Sequence, residues 1–484
     1  MSPLDAAMTP EEFRRDGHAL IDWIASYRAG VEQYPVLSRS SPGSVMESLP
    51  ASAPELPGDV TAILEDVETH LLPGIAHWQS PNWFGYFPSN SSEPSVLGDL
   101  LSSGLGVQGM LWATSPACTE LEMRMLDWTV EALGLPAHFR FDAPGPGGGV
   151  IQDTASSAVL ACMVAAREQA TGGGGNIQGL SQDSSPLVAY ASAQSHSSIE
   201  KSARICGIGS RNLRLVETDE HLAMDPLALA SVMKKDSAAG CRPFFISATL
   251  GTTGTGAFDP LDSIAPLAKE HGCWLHVDAA MFGTAALCEE HRWMHAGVEQ
   301  ADSWSFNPHK WMGATFDCSC LWLKDASLLV DSMSIMPEYL RNKATESGGV
   351  VDYRDWHVQL GRRFRSLKLW FLYRVVGLEG LRTMVRKHVE ITRELASWID
   401  ETDGFELAAP VPLTLACFRH EAGDEATRAI MEAVNASGSM SLTHCEVDGR
   451  FVLRLAIGQW GTTLDHVRKG WELISTVAKE VTSS

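Results

Sequence analysis

Reactive side chains follow short apolar segments in the middle of the chain, at the points where buried strands would end. Asp278 follows residues 274–277, and Lys310 follows residues 303–306 within the motif Asn-Pro-His-Lys. Ligands of an open parallel sheet bind at the carboxyl ends of its strands, so these side chains are expected to meet there. A lysine amine in such a place is desolvated, which lowers its pKa and lets it form a Schiff base. An exposed lysine at a strand end is the ordinary alternative.

A segment that precedes these residues is typical of an anion site. Residues 147–156 predict a glycine-rich turn that enters a helix through small hydroxyl residues, and a plain strand–turn–helix connection is the alternative. Free N–H groups and the helix dipole at such a start favour a phosphate. The segment matches neither Gly-x-Gly-x-x-Gly nor Gly-x4-Gly-Lys-Ser/Thr, which disfavours a dinucleotide or a nucleoside triphosphate. A lysine amine, an acid and an anion site are together what pyridoxal phosphate (PLP) requires.

Several motifs around these residues match those of one enzyme family. They are residues 73–78, 86–89, 112–122, 147–152, 196–198, 276–280, 307–311 and 360–368. The chain resembles the PLP-dependent group II amino-acid decarboxylases, and most closely the aromatic-L-amino-acid decarboxylases. The resemblance extends from near Thr9 to near the C-terminus. Its most specific parts are Asn-Pro-His-Lys-Trp and Leu-Gly-Arg-Arg-Phe-Arg.

The resemblance implies a role for each residue of a cofactor site. Lys310 would carry PLP, Asp278 would keep the pyridine nitrogen protonated, and His196 would stack on the ring. The residues implied at the phosphate and in the cofactor network are Ala155, Ser156, Asn307, His309 and Thr253. Tyr339 lies in the polar segment 336–343, which resembles a mobile lid, and would return a proton to the substrate. Without the resemblance, Tyr339 would be interpreted as an ordinary surface tyrosine.

The resemblance also implies a substrate pocket. Its residues would be Trp78, Tyr86, Phe87, Pro88, Ser89 and Gly361, with Met110 reaching in from the partner subunit. Ser89 stands where threonine is expected in the family, and Met110 stands where an aromatic residue is common. Gly361 leaves room near the substrate ring, which favours a large or indolic side chain.

Alternating strands and helices are predicted to position these residues. The predicted strands are 187–191, 213–216, 243–249, 274–277, 303–306 and 318–323, with helices at 155–169 and 260–271. This alternation is the signature of a mostly parallel sheet covered on both faces. A long helix at 367–400 with a break at Gly377, strands at 413–418 and 451–457 and a final helix from Leu464 indicate a smaller α+β domain.

The predicted fold is α/β, and the resemblance implies the aspartate-aminotransferase-like fold type I of PLP-dependent transferases. We expect an N-terminal helical segment (1–85), a large PLP-binding domain (86–365) and a small C-terminal α+β domain (366–484). The N-terminal segment should start with a helix capped by Thr9 and Glu12, followed by a second helix at 60–72. These helices have apolar faces and little core of their own, which agrees with the implied homodimer with active sites at the interface.

Charge and composition exclude other classes of function. The 484 residues include 37 basic and 59 acidic ones, and the resulting net charge of −22 disfavours binding to nucleic acid. The sequence contains no run of about 18 apolar residues, so no membrane span is predicted, and we expect no secretory signal at the N-terminus. The ten cysteines are scattered without a Cys-x-x-Cys pair, so we expect reduced thiols, no metal site and a cytoplasmic location.

The predicted reaction is decarboxylation of an aromatic L-amino acid (tryptophan, 5-hydroxytryptophan, DOPA, tyrosine or phenylalanine) to its amine and CO2. A decarboxylase of glutamate or cysteine sulfinate is an alternative, disfavoured by the aromatic, proline-containing pocket segment. An oxidative aldehyde synthase is a second alternative, disfavoured because such enzymes typically differ at the position of His196 or of Tyr339. A non-catalytic binding protein is the third, disfavoured by the presence of Lys310, Asp278 and His196.

Overall fold

Seven short strands form the central sheet of the computed structural model, which describes residues 8–180, 185–335, 343–346 and 349–483. The strands are β1 (Gly148–Gln152), β2 (Leu187–Ser192), β3 (Leu213–Val216), β4 (Arg242–Thr249), β5 (Trp274–Asp278), β6 (Ser303–Phe306) and β7 (Ser319–Leu323). Their order is β1-β7-β6-β5-β4-β2-β3, and β7 runs in the direction opposite to the other six strands of this sheet. Every residue of β2, β5, β6 and β7 is buried, which explains their apolar sequences. The predicted mostly parallel sheet is confirmed.

The glycines before the predicted anion site belong to a strand, which corrects the interpretation of residues 147–156 as a glycine-rich turn. Gly148 and Gly149 lie inside β1. An added Cβ atom at Gly148 would lie 2.6 Å from the Phe141 ring, and one at Gly149 would lie 2.6 Å from the Trp322 ring. Close packing against aromatic rings therefore requires these glycines, and the strand reaches the next helix through Asp153 and Thr154.

Helices cover both faces of the sheet and continue into the terminal regions. They are α1 (Pro10–Ala29), α2 (Ser44–Ser48), α3 (Val60–Asp66), α4 (Glu93–Leu105), α5 (Pro116–Leu133), α6 (Ala155–Thr171), α7 (Gly174–Gln178), α8 (Ser198–Ile205), α9 (Pro226–Ala238), α10 (Leu261–His271), α11 (Ser327–Met333), α12 (Lys343–Glu346), α13 (Ser366–Glu401), α14 (Asp424–Ser437) and α15 (Leu464–Thr482). Gly377 interrupts α13 with φ +71°, as predicted. None of the helices in the described ranges combines the length and the apolar character that crossing a membrane requires.

The C-terminal region forms a second, antiparallel sheet with its own core. Its strands are β8 (Phe405–Leu407), β9 (Leu415–His420), β10 (Thr443–Val447) and β11 (Arg450–Ala456), in the order β10-β11-β9-β8. The core between this sheet and the helices includes Leu395, Phe418, Ile430 and Ile474. The predicted smaller α+β domain is therefore present, although β8 and β10 were not among the predicted strands. The exact domain boundaries stay a prediction.

The N-terminal segment is the least buried part of the described chain. The capping box of α1 is present, since the Thr9 side chain accepts from the Glu12 amide while Glu12 bonds back to the Thr9 amide. No side chain of α1 is buried, and Phe13 is 67% exposed. Residues 83–86, at the end of this segment, contact the small domain, where Trp83 forms an isolated β-bridge with Ser441.

Candidate active site

A cavity of about 220 Å³ lies where the carboxyl ends of β2, β4, β5 and β6 meet the start of α6. The cavity is lined by all eight residues that were predicted to bind the cofactor, namely Ala155, Ser156, His196, Thr253, Asp278, Asn307, His309 and Lys310. They come from five segments of the chain, which the parallel sheet gathers at one edge. Phe87, Met281 and Phe316 add apolar surface to the same walls.

Lys310 lies in a single π-helical turn, Pro308–Met312, directly after β6. Its Nζ atom is 5.2 Å from the centroid of the Phe87 ring, and the Asn90 side-chain amide donates to its backbone carbonyl at 2.6 Å. Burial lowers the pKa of Lys310, and Arg454 adds to this effect, whereas Asp278 opposes it. Lys310 is therefore a free, nucleophilic amine at lower pH than an exposed lysine would be.

Asp278 is the last residue of β5, and one oxygen of its buried carboxylate already accepts a hydrogen bond. Its Oδ1 atom accepts from the Ala280 amide at 2.9 Å, so the other oxygen is the one available to a ligand. A buried carboxylate stabilises a cationic or protonated nitrogen placed against it, because the hydrogen bond is assisted by charge. Asp278 can therefore keep a ring nitrogen protonated.

His196 stands at the mouth of the cavity after β2, with its ring accessible to solvent. Its Nδ1 atom accepts from the Ser198 amide at 3.1 Å and lies 2.8 Å from the Ser198 hydroxyl, which places the proton of the neutral ring on Nε2. Partial desolvation and the nearby Lys310 lower the pKa of His196, while Asp278 raises it. A neutral imidazole with a free planar face is suited to stack on a flat ligand.

Hydrogen-bond donors converge at the other end of the cavity. The Thr154 side chain caps α6 by accepting from the Ser157 amide. The amides of Ala155 and Ser156 belong to the first turn, where no intrahelical carbonyl can reach them. They are therefore available to an anion, which the helix dipole also favours.

Two side chains add donors to these amides. The Asn307 side-chain oxygen accepts from the Ser319 hydroxyl at 2.7 Å, which leaves the NH2 group of Asn307 as its donating side. His309 accepts from the Cys318 amide through Nδ1 at 2.9 Å, and burial lowers its pKa to about 3. His309 is therefore neutral, with its remaining proton on Nε2.

The donor set of the cavity fits PLP. Amides and neutral donors at the start of α6 suit the phosphate, the Asp278 carboxylate suits the pyridine nitrogen, and the Lys310 amine suits the aldehyde. These three groups have different chemical requirements, and each finds a matching residue in one cavity. The sequence-based expectation for the cofactor site thus agrees with the arrangement of the side chains.

The predicted substrate residues are dispersed, and of these only Phe87 lines the cavity. Trp78 stacks between Trp83 and Tyr86, at centroid distances of 4.1 Å and 5.9 Å, and Tyr86 is 59% exposed. Pro88 lies beside Gly458, and the Ser89 carbonyl accepts from the Gln79 side chain. The Met110 carbonyl accepts from the Arg354 amide, and Gly361 is exposed. Tyr339 lies outside the described residues.

Sequence reasoning missed two residues that hold the cavity together, Asn90 and Arg454. The Asn90 side chain donates to the carbonyls of Lys310 and Gly458 and accepts from the Trp460 amide at 2.8 Å. Arg454 is buried on β11 and donates to the carbonyls of Thr253 and Gly254. A charged residue inside the apolar run 451–457 was the signal that could have identified Arg454.

Comparisons with known proteins find pyridoxal-dependent enzymes among the similar sequences and structures. Residues 42–421 match the family model described as the pyridoxal-dependent decarboxylase conserved domain. Tryptophan decarboxylase 2 of Oryza sativa subsp. japonica is 42% identical over 490 residues, covering 99% of this chain and 96% of that protein. Phenylacetaldehyde synthase of a Rosa hybrid cultivar is 42% identical over 499 residues, covering 100% and 97%. The crystal structure of Oryza sativa TDC with PLP and tryptamine has a TM-score of 0.94 at 38% identity, covering 99% of each chain.

Proposed function

The chain belongs to the family of pyridoxal-dependent decarboxylases, and we propose that it converts an aromatic L-amino acid to the corresponding amine and CO2. The observation that carries this proposal is the meeting of Lys310, Asp278 and the start of α6 in one cavity. The chain is a PLP-dependent lyase of fold type I. The names of its relatives, among them a tryptophan decarboxylase, support an aromatic substrate.

Each residue of the cavity has a definite task in this reaction. PLP, when bound, supplies an electron sink for the electron pair released as the bond between Cα and the carboxylate breaks. Lys310 provides the amine that attaches the cofactor, and Asp278 keeps a proton on the ring nitrogen. The phosphate is held by the Ala155 and Ser156 amides, with Asn307 and His309 beside them.

Three further tasks are assigned by the family resemblance. His196 would stack on the ring of bound PLP and so exclude water from that side of it. Tyr339 donates the proton that the substrate Cα needs after CO2 has left. Thr253 supports the cofactor network from the turn that follows β4.

The substrate pocket is aromatic in character. Trp78, Trp83 and Tyr86 form a stacked series, and Phe87, the next residue in sequence, lines the cavity. Flat, apolar surfaces of this kind favour an aromatic ring over a charged side chain. Tryptophan, 5-hydroxytryptophan, DOPA, tyrosine and phenylalanine are the candidate substrates, and Gly361 favours the larger, indolic ones.

We further propose a homodimer whose active sites lie at the interface. Exposed apolar side chains on α1, α3 and α4 support it. They are Phe13, Ile63, Leu97 and Leu101, which are 40–67% exposed and are here together called the N-terminal face. A surface of this kind on an isolated chain favours association with a second copy.

A cytoplasmic location is also proposed. All ten cysteines of the chain are free thiols, and eight of them are buried. Such thiols are typical of a reducing compartment. Reduced, unpaired cysteines in the purified protein, counted with a thiol reagent after denaturation without reductant, would agree with this location.

A panel of amino acids tests the reaction and its substrate. The purified protein with PLP is incubated with the five aromatic candidates, glutamate and cysteine sulfinate, and amine and CO2 are measured for each. We expect both products from at least one aromatic substrate and neither from the acidic ones. The Lys310→Ala protein is the control, because it shows how much CO2 is released without the lysine side chain that attaches the cofactor. CO2 release from the acidic amino acids alone would contradict the proposal.

A second candidate is an oxidative aldehyde synthase, which the similarity to phenylacetaldehyde synthase favours. In that reaction each substrate consumes one O2 and one water and yields aldehyde, CO2, ammonia and hydrogen peroxide. We propose amine as the product of this chain because it has both His196 and Tyr339.

The Tyr339→Phe variant distinguishes the two reactions. Removing the hydroxyl removes the acid that protonates the substrate Cα. The unprotonated carbon then has more time to react with O2. We expect less amine and more aldehyde and peroxide, measured by chromatography and a peroxidase assay. Tyr353→Phe is the matched control, because the Tyr353 hydroxyl has no hydrogen-bond partner among the described residues. Amine formation at the wild-type rate by Tyr339→Phe would assign the proton to another group, and His196 would be the first to test.

A further inference from the structure

Arg454 connects the small domain to the floor of the active-site cavity. It lies on β11, only 4% exposed, and its guanidinium crosses to the turn after β4. Its Nε atom donates to the Gly254 carbonyl at 2.9 Å and its Nη2 atom to the Thr253 carbonyl at 2.7 Å. Its Nη1 atom donates to the Thr443 hydroxyl on β10 at 3.1 Å. The planar guanidinium group, whose donors form a rigid fork, thus donates hydrogen bonds to residues of both domains.

Arg454 also shares an aromatic contact with Lys310. The guanidinium carbon of Arg454 is 5.3 Å from the centroid of the Phe87 ring, and Lys310 Nζ is 5.2 Å from the same centroid. Two positive groups in a buried site repel each other more strongly than in water, because the local dielectric is low. Arginine keeps its charge even when buried, so the lysine is the group that can respond by losing its proton.

We propose that Arg454 is a positioning residue of the active site, which anchors the Thr253–Gly254 turn to the small domain and presents a permanent positive charge to Lys310 at the Phe87 ring. The two parts of this role are separable by substitution. A methionine keeps most of the apolar stem and removes both the charge and the fork. A lysine loses the fork and keeps an amine whose charge, unlike that of arginine, burial can remove.

The charge of Arg454 acts on the protonation of Lys310. It lowers the pKa of Lys310 in the same direction as burial does. Removing the charge should therefore raise this pKa and reduce the fraction of free amine at a given pH. The inference rests on the proposed function only in that Lys310 is taken as the reactive amine, and Lys310 can be titrated without cofactor or substrate.

Competitive labelling of the full-length, cofactor-free protein measures this titration. Lys310 is acetylated with acetic anhydride over a range of pH, and its modification is quantified by peptide mass spectrometry relative to its high-pH plateau. In Arg454→Met the midpoint should move to higher pH, with labelling at neutral pH lowered about threefold or more, since one pKa unit is a tenfold change in free amine.

Arg419→Met is the matched control for the loss of a buried arginine. Arg419 lies on the adjacent strand β9, 12% exposed in its side chain, and pairs with Glu406 and Asp424 at 3.1 Å. Its removal should leave the Lys310 midpoint unchanged. An unchanged midpoint in Arg454→Met, or an equal shift in Arg419→Met, would overturn the electrostatic part of the proposal. Because no substrate is present, these results do not depend on the reaction catalysed.

Arg454→Lys tests the anchoring part and remains informative if the methionine variant does not fold. Its Lys310 midpoint should lie between those of the wild type and of Arg454→Met, because a buried lysine at position 454 carries its charge over only part of the titration. Deuterium uptake in a peptide that spans residues 250–257 should increase, because the fork no longer holds the turn, whereas Arg419→Met should leave this peptide protected. A Lys310 midpoint in Arg454→Lys that lies outside the range from the wild type to Arg454→Met would contradict the role of the charge. Wild-type protection of the turn would contradict the anchoring.

Discussion

The cofactor side and the substrate side of the active site differ in how much of them a single chain builds. On the cofactor side, Asp278, Asn307 and His309 are each fixed by a hydrogen bond from a neighbouring residue of the same chain. On the substrate side, Tyr86 is 59% exposed and Gly361 is also exposed. The cofactor residues are thus held within one chain, whereas the predicted substrate residues Tyr86 and Gly361 are open to solvent in it.

This difference follows from where each side lies in the fold. Strand ends of a parallel sheet are held in register by their neighbours, so side chains placed there have little freedom. The substrate residues come from loops and from the border of the small domain, where the chain is held at fewer points. The cofactor side should therefore tolerate loss of the dimer better than the substrate side does, and the substitutions below test each side in turn.

The largest effect is expected for Lys310→Ala, on the cofactor side. Without this amine, the visible absorbance of the attached cofactor and all turnover should be lost, because no other lysine lines the cavity. Absorbance spectra and the amine assay measure both. Lys324→Ala is the control, since Lys324 is exposed just after β7. Borohydride reduction of the wild type should place the cofactor on Lys310, and its recovery on Lys324 or Lys343 would refute the assignment.

Asp278→Asn should have the next largest effect. The neutral amide cannot keep a proton on the ring nitrogen, so turnover should fall about 100-fold or more. Cofactor content should change little, because the donors at the start of α6 are untouched. Asp302→Asn is the matched control, since Asp302 precedes β6 at the opposite end of the sheet and accepts from the Leu275 amide. Near-normal turnover in Asp278→Asn would remove the proposed role.

The same contrast explains what sequence could predict. Six of the seven central strands are apolar runs, and their positions follow directly from the sequence. β1 was missed because Gly148 and Gly149 lower its strand propensity, while their need to pack against rings depends on residues distant in sequence. β8 and β10 are short or partly exposed, which weakens their apolar pattern.

The cofactor residues were predictable because each one ends a strand or starts a helix. Arg454 stands out as a charged residue in an apolar run, but its partners Thr253 and Gly254 were not predictable, since they lie about 200 residues away in sequence. The shape of the substrate pocket was not predictable either. None of Trp78, Tyr86 and Gly361 lines the cavity. In the proposed dimer their neighbours would depend on how two chains meet, which a single sequence does not specify.

Placing a charge on the N-terminal face should separate the two sides. Phe13→Asp puts a carboxylate on α1, where Phe13 is 67% exposed in one chain. Loss of a buried phenylalanine from each half of a symmetric interface would weaken the dimer about 100-fold or more. Sedimentation should show monomers that keep PLP but have lost most of their turnover.

Ile177→Asp is the control for the N-terminal face, because Ile177 is 83% exposed on α7, outside the face. It should remain dimeric and active. A Phe13→Asp protein that is dimeric, or monomeric with full turnover, would contradict the dependence of the substrate side on a second chain.

The smallest effect is expected for Gly361→Ala, on the substrate side. A Cβ atom there would lie 3.2 Å from Gln108 Nε2, so the Gln108 side chain must shift by a few tenths of an ångström. The Oε1 atom of Gln108 also accepts from the Arg362 amide at 2.6 Å, which limits how far it can move. One methyl group in a binding pocket changes discrimination by about tenfold. The kcat/KM for tryptophan should therefore fall about tenfold relative to that for tyrosine, while cofactor content and the Lys310 midpoint stay unchanged. Gly58→Ala is the control for Gly361→Ala, because nothing lies within 4 Å of its added Cβ atom. An equal loss of kcat/KM for both substrates would mean that Gly361 affects the cofactor side. The separation of the two sides would then fail at this residue.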